Sequence, residues 1–297
     1  MKGLIFINPF LVPAESVHQA ERLKEEFNKR NVEIEIVSDG FSRVAIEGKS
    51  AEIDLDAPDF AVYLDKDKYL SNILEKGGLR LFNRHEAVRV CDDKGKTYIA
   101  LAGMGVNFPK TIFGALCYRP DLPVDRKWAE EIAKTLGFPI IVKESFGSMG
   151  KGVYKADDID ELLFIMEKVK LKPHLFQEYI GERVGVDVRV IVIGGKVVAS
   201  MERHNEKDFR SNVGQGGTGK NIRLPENFKN IAEGVAEVLK LDYCGVDLLY
   251  GKDGEPYVCE VNSNAFIDGI EKTTGVNVAG AYADYIIKTI EKEKNKR

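Results

Sequence analysis

Nowhere in the 297 residues is there an apolar run approaching the roughly 20 residues that a membrane-spanning helix requires. The opening Met1-Lys2-Gly3-Leu4-Ile5-Phe6-Ile7 is basic then apolar, as an export signal would be, but it stops at Asn8-Pro9, too short for a signal core. It reads better as a first buried strand, and no membrane partner is expected. Cysteine is scarce: Cys91, Cys117, Cys244 and Cys259 show no CxxC spacing, which excludes a zinc-ribbon pattern and a disulfide framework. A cytoplasmic location, reducing, is the expectation that follows. Histidine is equally scarce, and no Ser/His/Asp or Cys/His pattern surrounds the four present. His204 could serve as a general base, but a lone histidine in a polar loop is more often solvated or structural. Neither sign of charge dominates: 43 basic residues against 47 acidic ones leave a net −4, and no nucleic-acid partner is expected. The mixed tail Glu291–Arg297 reads as a solvated helix end.

What is present is ordinary globular protein, 44% hydrophobic and 30% charged, long enough for two or three domains. Lys2–Ile7, Val32–Val37, Phe60–Leu64 and Arg80–Phe82 read as strands. Between them Ser16-Val17-His18-Gln19 suggests a capping box opening a helix, with Val17, Ala20, Leu23 and Phe27 on one face, and Lys68–Lys76 a second helix. That alternation predicts a parallel-sheet α/β domain over residues 1–92. A central domain is expected over 93–174: helices at Lys94–Met104, Trp128–Leu136 and Ile159–Val169, strands at Pro139–Glu144 and Gly152–Lys155. From 175 to 297 strands come in hairpins, followed by helices near Asn230–Leu239 and Ala279–Lys292. There is no internal repeat.

Gly245–Tyr250 and Tyr257–Asn262 are strand-like runs joined across Asp253-Gly254, a favoured two-residue hairpin turn. With that turn at the centre, Asp247 falls opposite Glu260, and Asn262 points to the same face. Opposed carboxylates repel unless a cation lies between them, and two carboxylates with an amide oxygen suit Mg²⁺. A solvated acidic face is the alternative. Upstream, Lys143 leads into Ser145-Phe146-Gly147-Ser148-Met149-Gly150-Lys151-Gly152, a glycine-rich loop whose N–H groups could approach phosphate, although a plain hairpin would look similar. Gly214–Lys220 imitates a P-loop, but Asn221 replaces the required Ser or Thr and Ile222-Arg223-Leu224-Pro225 is a poor helix start. It reads as a substrate loop instead. A further hairpin, Val186–Ile193 with Lys196–Arg203, turns at Gly194-Gly195 and is expected to set Asp187 and Arg189 opposite Glu202 and Ser200. Arg203, Arg210 and Asn212 follow, and arginine forks suit carboxylate or acyl-phosphate oxygens.

Several segments recur in a recognisable order: Leu81-Phe82-Asn83, Asp93-Lys94, Phe108-Pro109-Lys110-Thr111, Gly137–Lys143, the glycine-rich loop, Gln177-Glu178-Tyr179-Ile180, Asp187-Val188-Arg189, Phe209-Arg210-Ser211-Asn212, Gly245–Leu249 and Glu260-Val261-Asn262-Ser263. In this order and spacing the chain resembles the ATP-grasp superfamily, and within it the RimK-like α-L-glutamate ligases. The resemblance implies an ATP-grasp fold: a parallel-sheet pre-ATP-grasp domain, a small central lid and a C-terminal antiparallel sheet. It implies ATP and two Mg²⁺ ions (Mn²⁺ as a substitute), with Asp247, Glu260 and Asn262 as metal ligands. Lys94, Lys143, Gly147, Ser148 and Gly150 would meet the phosphates, Glu178 and Tyr179 the adenine, and Asp187 the ribose. Arg210 and Asn212 would contact nucleotide or acyl-phosphate, with Arg189 a further catalytic candidate and Arg203 beside Arg210 toward substrate. The implied substrates are an amino acid, glutamate by family, and a carboxylate acceptor, and family members are often homo-oligomers. Two departures, Lys151 in the lid and the absence of Pro-Gly after Asn262, bear on the acceptor pocket.

Overall fold

The computed structural model describes residues 1–10, 14–148, 150–211 and 217–296. The first segment runs β1 (Lys2–Phe6), α1 (Ala14–Asn28), β2 (Glu33–Val37), β3 (Val44–Glu47), β4 (Ser50–Ile53), β5 (Phe60–Tyr63), α2 (Lys68–Lys76) and β6 (Leu81–Phe82). Its main sheet is parallel with order β2-β1-β5-β6, and β3 and β4 form a separate hairpin that the sequence reading did not anticipate. A parallel sheet is covered on both faces, which is why β5 is buried at every position. Side chains alternate between the covers: Leu4, Phe6 and Tyr63 pack toward Leu70 and Leu74 of α2. Ile5, Phe60 and Val62 pack toward Ala20, Leu23 and Phe27 of α1. Helix α1 begins at Ala14, so Ser16 lies inside the first turn rather than at a cap, and Val17, expected on the apolar face, is 41% exposed.

The middle segment contains α3 (His85–Cys91), α4 (Lys94–Leu101), β7 (Thr111–Phe113), α5 (Arg126–Leu136), β8 (Ile140–Glu144), β9 (Val153–Ala156), α6 (Ile159–Val169) and β10 (His174–Glu178). Its sheet is antiparallel with order β7-β10-β8-β9, covered by α5 and α6. The expected boundary at 174/175 falls within β10, whose partners β7 and β8 belong to this middle sheet.

The last segment comprises β11 (Val186–Ile193), β12 (Lys196–His204), β13 (Thr218–Asn221), α7 (Glu226–Val238), β14 (Tyr243–Tyr250), β15 (Pro256–Asn262), α8 (Asp268–Thr274) and α9 (Val278–Lys294). Its antiparallel sheet has order β13-β12-β11-β14-β15. The glycines of the P-loop look-alike at 214–216 lie outside the described residues, while Lys220 lies on β13. Helix α7 starts at Glu226 immediately after Pro225, a position where proline is tolerated because no intrahelical N–H is needed.

The first and last segments share a core. Helix α9 returns to the first sheet, where Tyr282 and Ile286 join Ile5, Phe27 and Phe82 in one apolar cluster with Ile191 and Tyr243. Asn83, 1% exposed, staples the two: its Nδ2 donates to the carbonyls of Tyr243 and Ser263 (2.7 and 2.8 Å), and its Oδ1 accepts from Tyr243 N–H at 2.9 Å. Arg80 adds a bidentate ion pair with Asp242, both distances 3.1 Å. Among the described residues no helix is long and apolar enough to cross a membrane.

Candidate active site

The β14–β15 hairpin places Asp247 directly opposite Glu260, as expected, but by an unexpected route. The connection is a five-residue loop closed by Gly251 N–H to the Glu255 carbonyl at 2.7 Å, with Asp253 and Gly254 both at positive φ. That loop alone would put Asp247 opposite Cys259. A β-bulge at Cys259 restores the register, so Asp247 meets Glu260 and Gly245 meets Asn262. The bulge also turns Cys259 into the cleft, where it lines the wall beside Glu260. Strict alternation would have pointed it the other way.

The β11–β12 hairpin departs from expectation in the opposite sense. The turn at Gly194-Gly195 is as expected, with both glycines at positive φ. A bulge at Val198 then shifts the remaining pairs, and Asp187 faces Arg203 instead of Glu202. Glu202 lies on the other side of the sheet, bonded to Arg183 and Tyr250. Arg203 is 4% exposed and its guanidinium joins two buried carboxylates, with Nε to Asp187 Oδ1 at 2.7 Å and Nη2 to Asp247 Oδ2 at 2.9 Å. Arg189 closes on Asp247 from the next position, at 2.5 and 2.7 Å. Gly245 makes room for it: a Cβ there would come within 3.2 Å of Arg189 Cδ and 2.6 Å of Ala265 Cβ. Burial alone would raise the Asp247 pKa, but Arg189 and Arg203 outweigh it and hold the carboxyl below its usual range, hence ionised. Arg203 is thus a structural cation behind the cleft. It is not among the residues that line the cleft.

Across the cleft stands the middle sheet. Lys143 on β8 is 7% exposed, with Nζ 3.7 Å from Cys259 Sγ. Burial works to discharge it, but Cys259, Tyr98 and Glu260 around it keep its pKa above the ordinary lysine value. Burial correspondingly pushes the Cys259 thiol up despite Lys143, so it is no thiolate. Lys94, on the first turn of α4, donates to the Gly147 carbonyl at 2.9 Å and lies 3.5 Å from Glu260 Oε1. Arg210 donates to the Gly150 carbonyl at 3.0 Å and is held by Asp208, Nη2 to Oδ2 at 2.6 Å. The glycine-rich loop is therefore tethered at both ends by cations that also line the cleft. Gly147 and Gly150, at φ 142° and 73°, occupy backbone conformations that side chains strain to adopt.

Of the residues named from sequence, Lys94, Lys143, Gly150, Glu178, Tyr179, Asp187, Arg210, Asp247 and Glu260 line one cleft between the two antiparallel sheets. Arg189 stands behind Asp247; Gly147 and Ser148 belong to the covering loop; Asn262 continues the Glu260 face. Asn212 lies outside the described residues. Glu178 is engaged with the chain itself, its Oε1 accepting from Lys110 N–H at 2.7 Å, which fixes the β10 exit against the segment before β7. Sequence reading assigned no role to Cys259, Gln177, Tyr98 or Asp208. Only the Asp-x-Arg spacing of Asp208 and Arg210 carried any signal.

The donor set fits a hard divalent cation. Among the described residues Glu260 pairs only with Lys94, with Lys143 also near it, and the Asn262 amide makes no hydrogen bond, so both have donor capacity left for a cation. Three of the lone-pair sites on Asp247 go to arginines, leaving capacity for one more partner. No group of three Asp, Glu, His or Cys gathers as a metal site among the described residues, consistent with an amide as third donor.

This arrangement, a parallel sheet beside two antiparallel sheets that enclose a cation-lined cleft, is the ATP-grasp fold. D-alanine–D-alanine ligase from Bacillus anthracis, solved with ATP, matches over 100% of this chain and 99% of its own at TM-score 0.72 and 21% identity. The ATP-grasp ligase PsnB, solved with a minimal precursor, Mg and ADP, covers 97% of this chain and 98% of its own at TM-score 0.70 and 18% identity. Identities this low speak for the fold alone. A sequence model of the RimK-like ATP-grasp domain matches residues 91–286, and the chain belongs to that family. A probable α-L-glutamate ligase of Psychromonas ingrahamii is 31% identical over 95% of both chains. Human β-citrylglutamate synthase B is 38% identical over 75% of this chain, and human N-acetylaspartylglutamate synthase A 36% over 78%. The match spans a little over half of those two human proteins, 57% and 59% of their lengths.

Proposed function

We propose that the chain is an ATP-dependent carboxylate–amine ligase that adds L-glutamate to a carboxylate of a protein, peptide or coenzyme, releasing ADP and phosphate. The observation that carries this is the single cleft in which Lys94, Lys143 and Arg210 face the Asp247–Glu260–Asn262 row. Cations on one wall and hard oxygen donors on the other suit a nucleotide triphosphate whose charge must be neutralised during transfer. An acceptor carboxylate oxygen attacks the γ-phosphorus, the bond to ADP breaks, and an acyl-phosphate forms. The amine nitrogen then attacks the acyl carbon, phosphate leaves, and the nitrogen loses its proton to give the amide. Lys94, Lys143 and Arg210 stabilise the equatorial oxygens, while Glu178 and Tyr179 frame the base and Asp187 the ribose. Asp247, Glu260 and Asn262 would hold two Mg²⁺ ions, replaceable by Mn²⁺, which would supply Lewis-acid polarisation of the transferred phosphoryl group. The glycine-rich loop, drawn in by Lys94 and Arg210, excludes the water that would hydrolyse the acyl-phosphate.

The relatives support glutamate as the amine: two carry the glutamyl product in their names and a third is a probable glutamate ligase. The test is incubation with Mg-ATP, glutamate and a small-molecule and protein extract, read by mass spectrometry and ADP release. A species heavier by one glutamyl unit, appearing only with ATP, supports the proposal. ADP release with another amino acid and none with glutamate would replace the donor, and no ATP-dependent product with any amino acid would defeat the proposal.

A further inference from the structure

We infer that Lys66 and Lys68, on the loop between β5 and α2, hold a non-reacting carboxylate of one of the ligase's two carbon substrates. This rests on the ligase reading and specifies what its substrate must look like: a molecule carrying at least one carboxylate beyond the group that reacts.

Three separate contacts place this loop at the reacting end of the cleft. Asn264, two residues past Asn262, donates its Nδ2 to the Asp65 carbonyl at 3.0 Å. The Lys68 ammonium sits 4.0 Å from the centre of the Phe146 ring, which belongs to the glycine-rich loop. Asp92, two residues before Lys94, accepts both lysines, Lys66 at 3.3 Å and Lys68 at 3.4 Å. The loop is therefore bounded by the segment after the metal-donor row, by the covering loop and by the approach to Lys94. It also follows the carboxyl end of a central parallel strand, where open α/β sheets receive their ligands.

Most carboxylates around the loop are engaged elsewhere. Asp65 is buried and taken by its own chain, accepting from Lys66 N–H at 2.6 Å and from Asn8 Nδ2 at 3.2 Å. Asp67 caps α2 through the N–H groups of Tyr69 and Leu70. Asp93 caps α4 and faces Lys96. Lys94 is engaged by Gly147 and Glu260. Asp92 is left as the one carboxylate within ion-pair reach of either lysine among the described residues, so two ammonium groups share a single negative charge. Neither lysine lines the nucleotide cleft, and the phosphate end already has Lys94, Lys143 and Arg210. Each of the two side chains stays 35% exposed, so each ammonium keeps hydrogen-bonding capacity for a further acidic group. The aromatic contact with Phe146 holds the Lys68 ammonium in place before anything binds.

Glutamate, whose two carboxylates are both spared when its amine reacts, and an acceptor that is itself a di- or tricarboxylate would each present this group. Equilibrium dialysis separates them. Wild type, Lys66→Ala/Lys68→Ala and Lys68→Arg are compared for binding L-glutamate, citrate and N-acetyl-L-aspartate, each in the presence of Mg²⁺ and a non-hydrolysable ATP analogue. Loss of charge-assisted hydrogen bonds should weaken one of the three by about tenfold or more in the double variant, with Lys68→Arg close to wild type. Affinity for the ATP analogue should not change. A loss confined to glutamate assigns the lysines to the amino acid, and a loss confined to citrate or N-acetyl-L-aspartate assigns them to the acceptor. Unchanged binding of all three, or no binding of any by wild type, overturns the inference. If that wild type binds the ATP analogue and forms ADP with glutamate and the extract that supplies the acceptor, the ligase reading survives; failure to bind the analogue would defeat the ligase reading itself.

Discussion

Replacing Arg203 by methionine separates its two readings, a substrate contact and a structural cation. The guanidinium lies between Asp187 and Asp247, and all three residues are no more than 5% exposed. Asp247 would keep Arg189, but Asp187 has no other ion-pair partner among the described residues. A buried carboxylate stripped of its cation costs about 3–5 kcal/mol. At roughly 2–4 °C per kcal/mol for a chain of this class, the thermal midpoint should fall by about 10 °C at neutral pH. Adding Asp187→Asn should recover most of the loss by leaving a neutral pair. The assay is thermal unfolding followed by circular dichroism at neutral pH. A variant melting within about 1 kcal/mol of wild type but with a raised KM for a carbon substrate would refute this argument and return Arg203 to the substrate.

Glu260→Ala should abolish ADP formation while leaving the thermal midpoint nearly unchanged, because the side chain is partly exposed and its one ion pair is with Lys94; undiminished turnover would remove it from the metal site. Lys143→Met keeps side-chain volume and should weaken nucleotide affinity by about tenfold or more, measured by titration with an ATP analogue. Glu26 on α1 offers an acid-stability test. Burial raises its pKa, but Lys29, Arg30 and Asn277 outweigh it and lower the carboxyl from 4.5 to about 2. A depressed folded pKa stabilises above the unfolded value and is lost as pH falls through the folded one. Glu26→Gln should thus cost up to about 3 kcal/mol above pH 4.5, and the difference from wild type should vanish as pH approaches 2. Parallel unfolding curves for the two proteins across that window would contradict the assignment.

Much of the molecule was legible from local pattern. Helices α2 and α6 occupy the expected residues because a capping aspartate, an apolar stripe at helical spacing and a turn residue all lie within the segment itself. The parallel first sheet followed from alternating strands and helices. Both hairpin turns were visible because Asp253-Gly254 and Gly194-Gly195 supply the positive φ that tight connections require. Order and spacing of motifs sufficed to recognise the family.

Register was another matter. Both hairpins contain a bulge, at Cys259 and at Val198, and no local feature announces either. In one, the bulge compensates a loop longer than expected and Asp247 still meets Glu260. In the other it shifts the pairing by one residue, turning Glu202 away and bringing Arg203 onto Asp187. A strand's side chains alternate with a period of two, so a single extra residue reverses everything beyond it, and where that residue is accommodated depends on packing against neighbouring elements. The same holds for β10, which joins the middle sheet, and for α9, which returns nearly the whole length of the chain to cover the first. Sequence alone determined which residues could do chemistry, because charge, hydrogen-bonding capacity and backbone freedom belong to each residue. Tertiary structure decided which of them face the cleft and which are buried behind it, because burial and pairing belong to residues far apart in the chain.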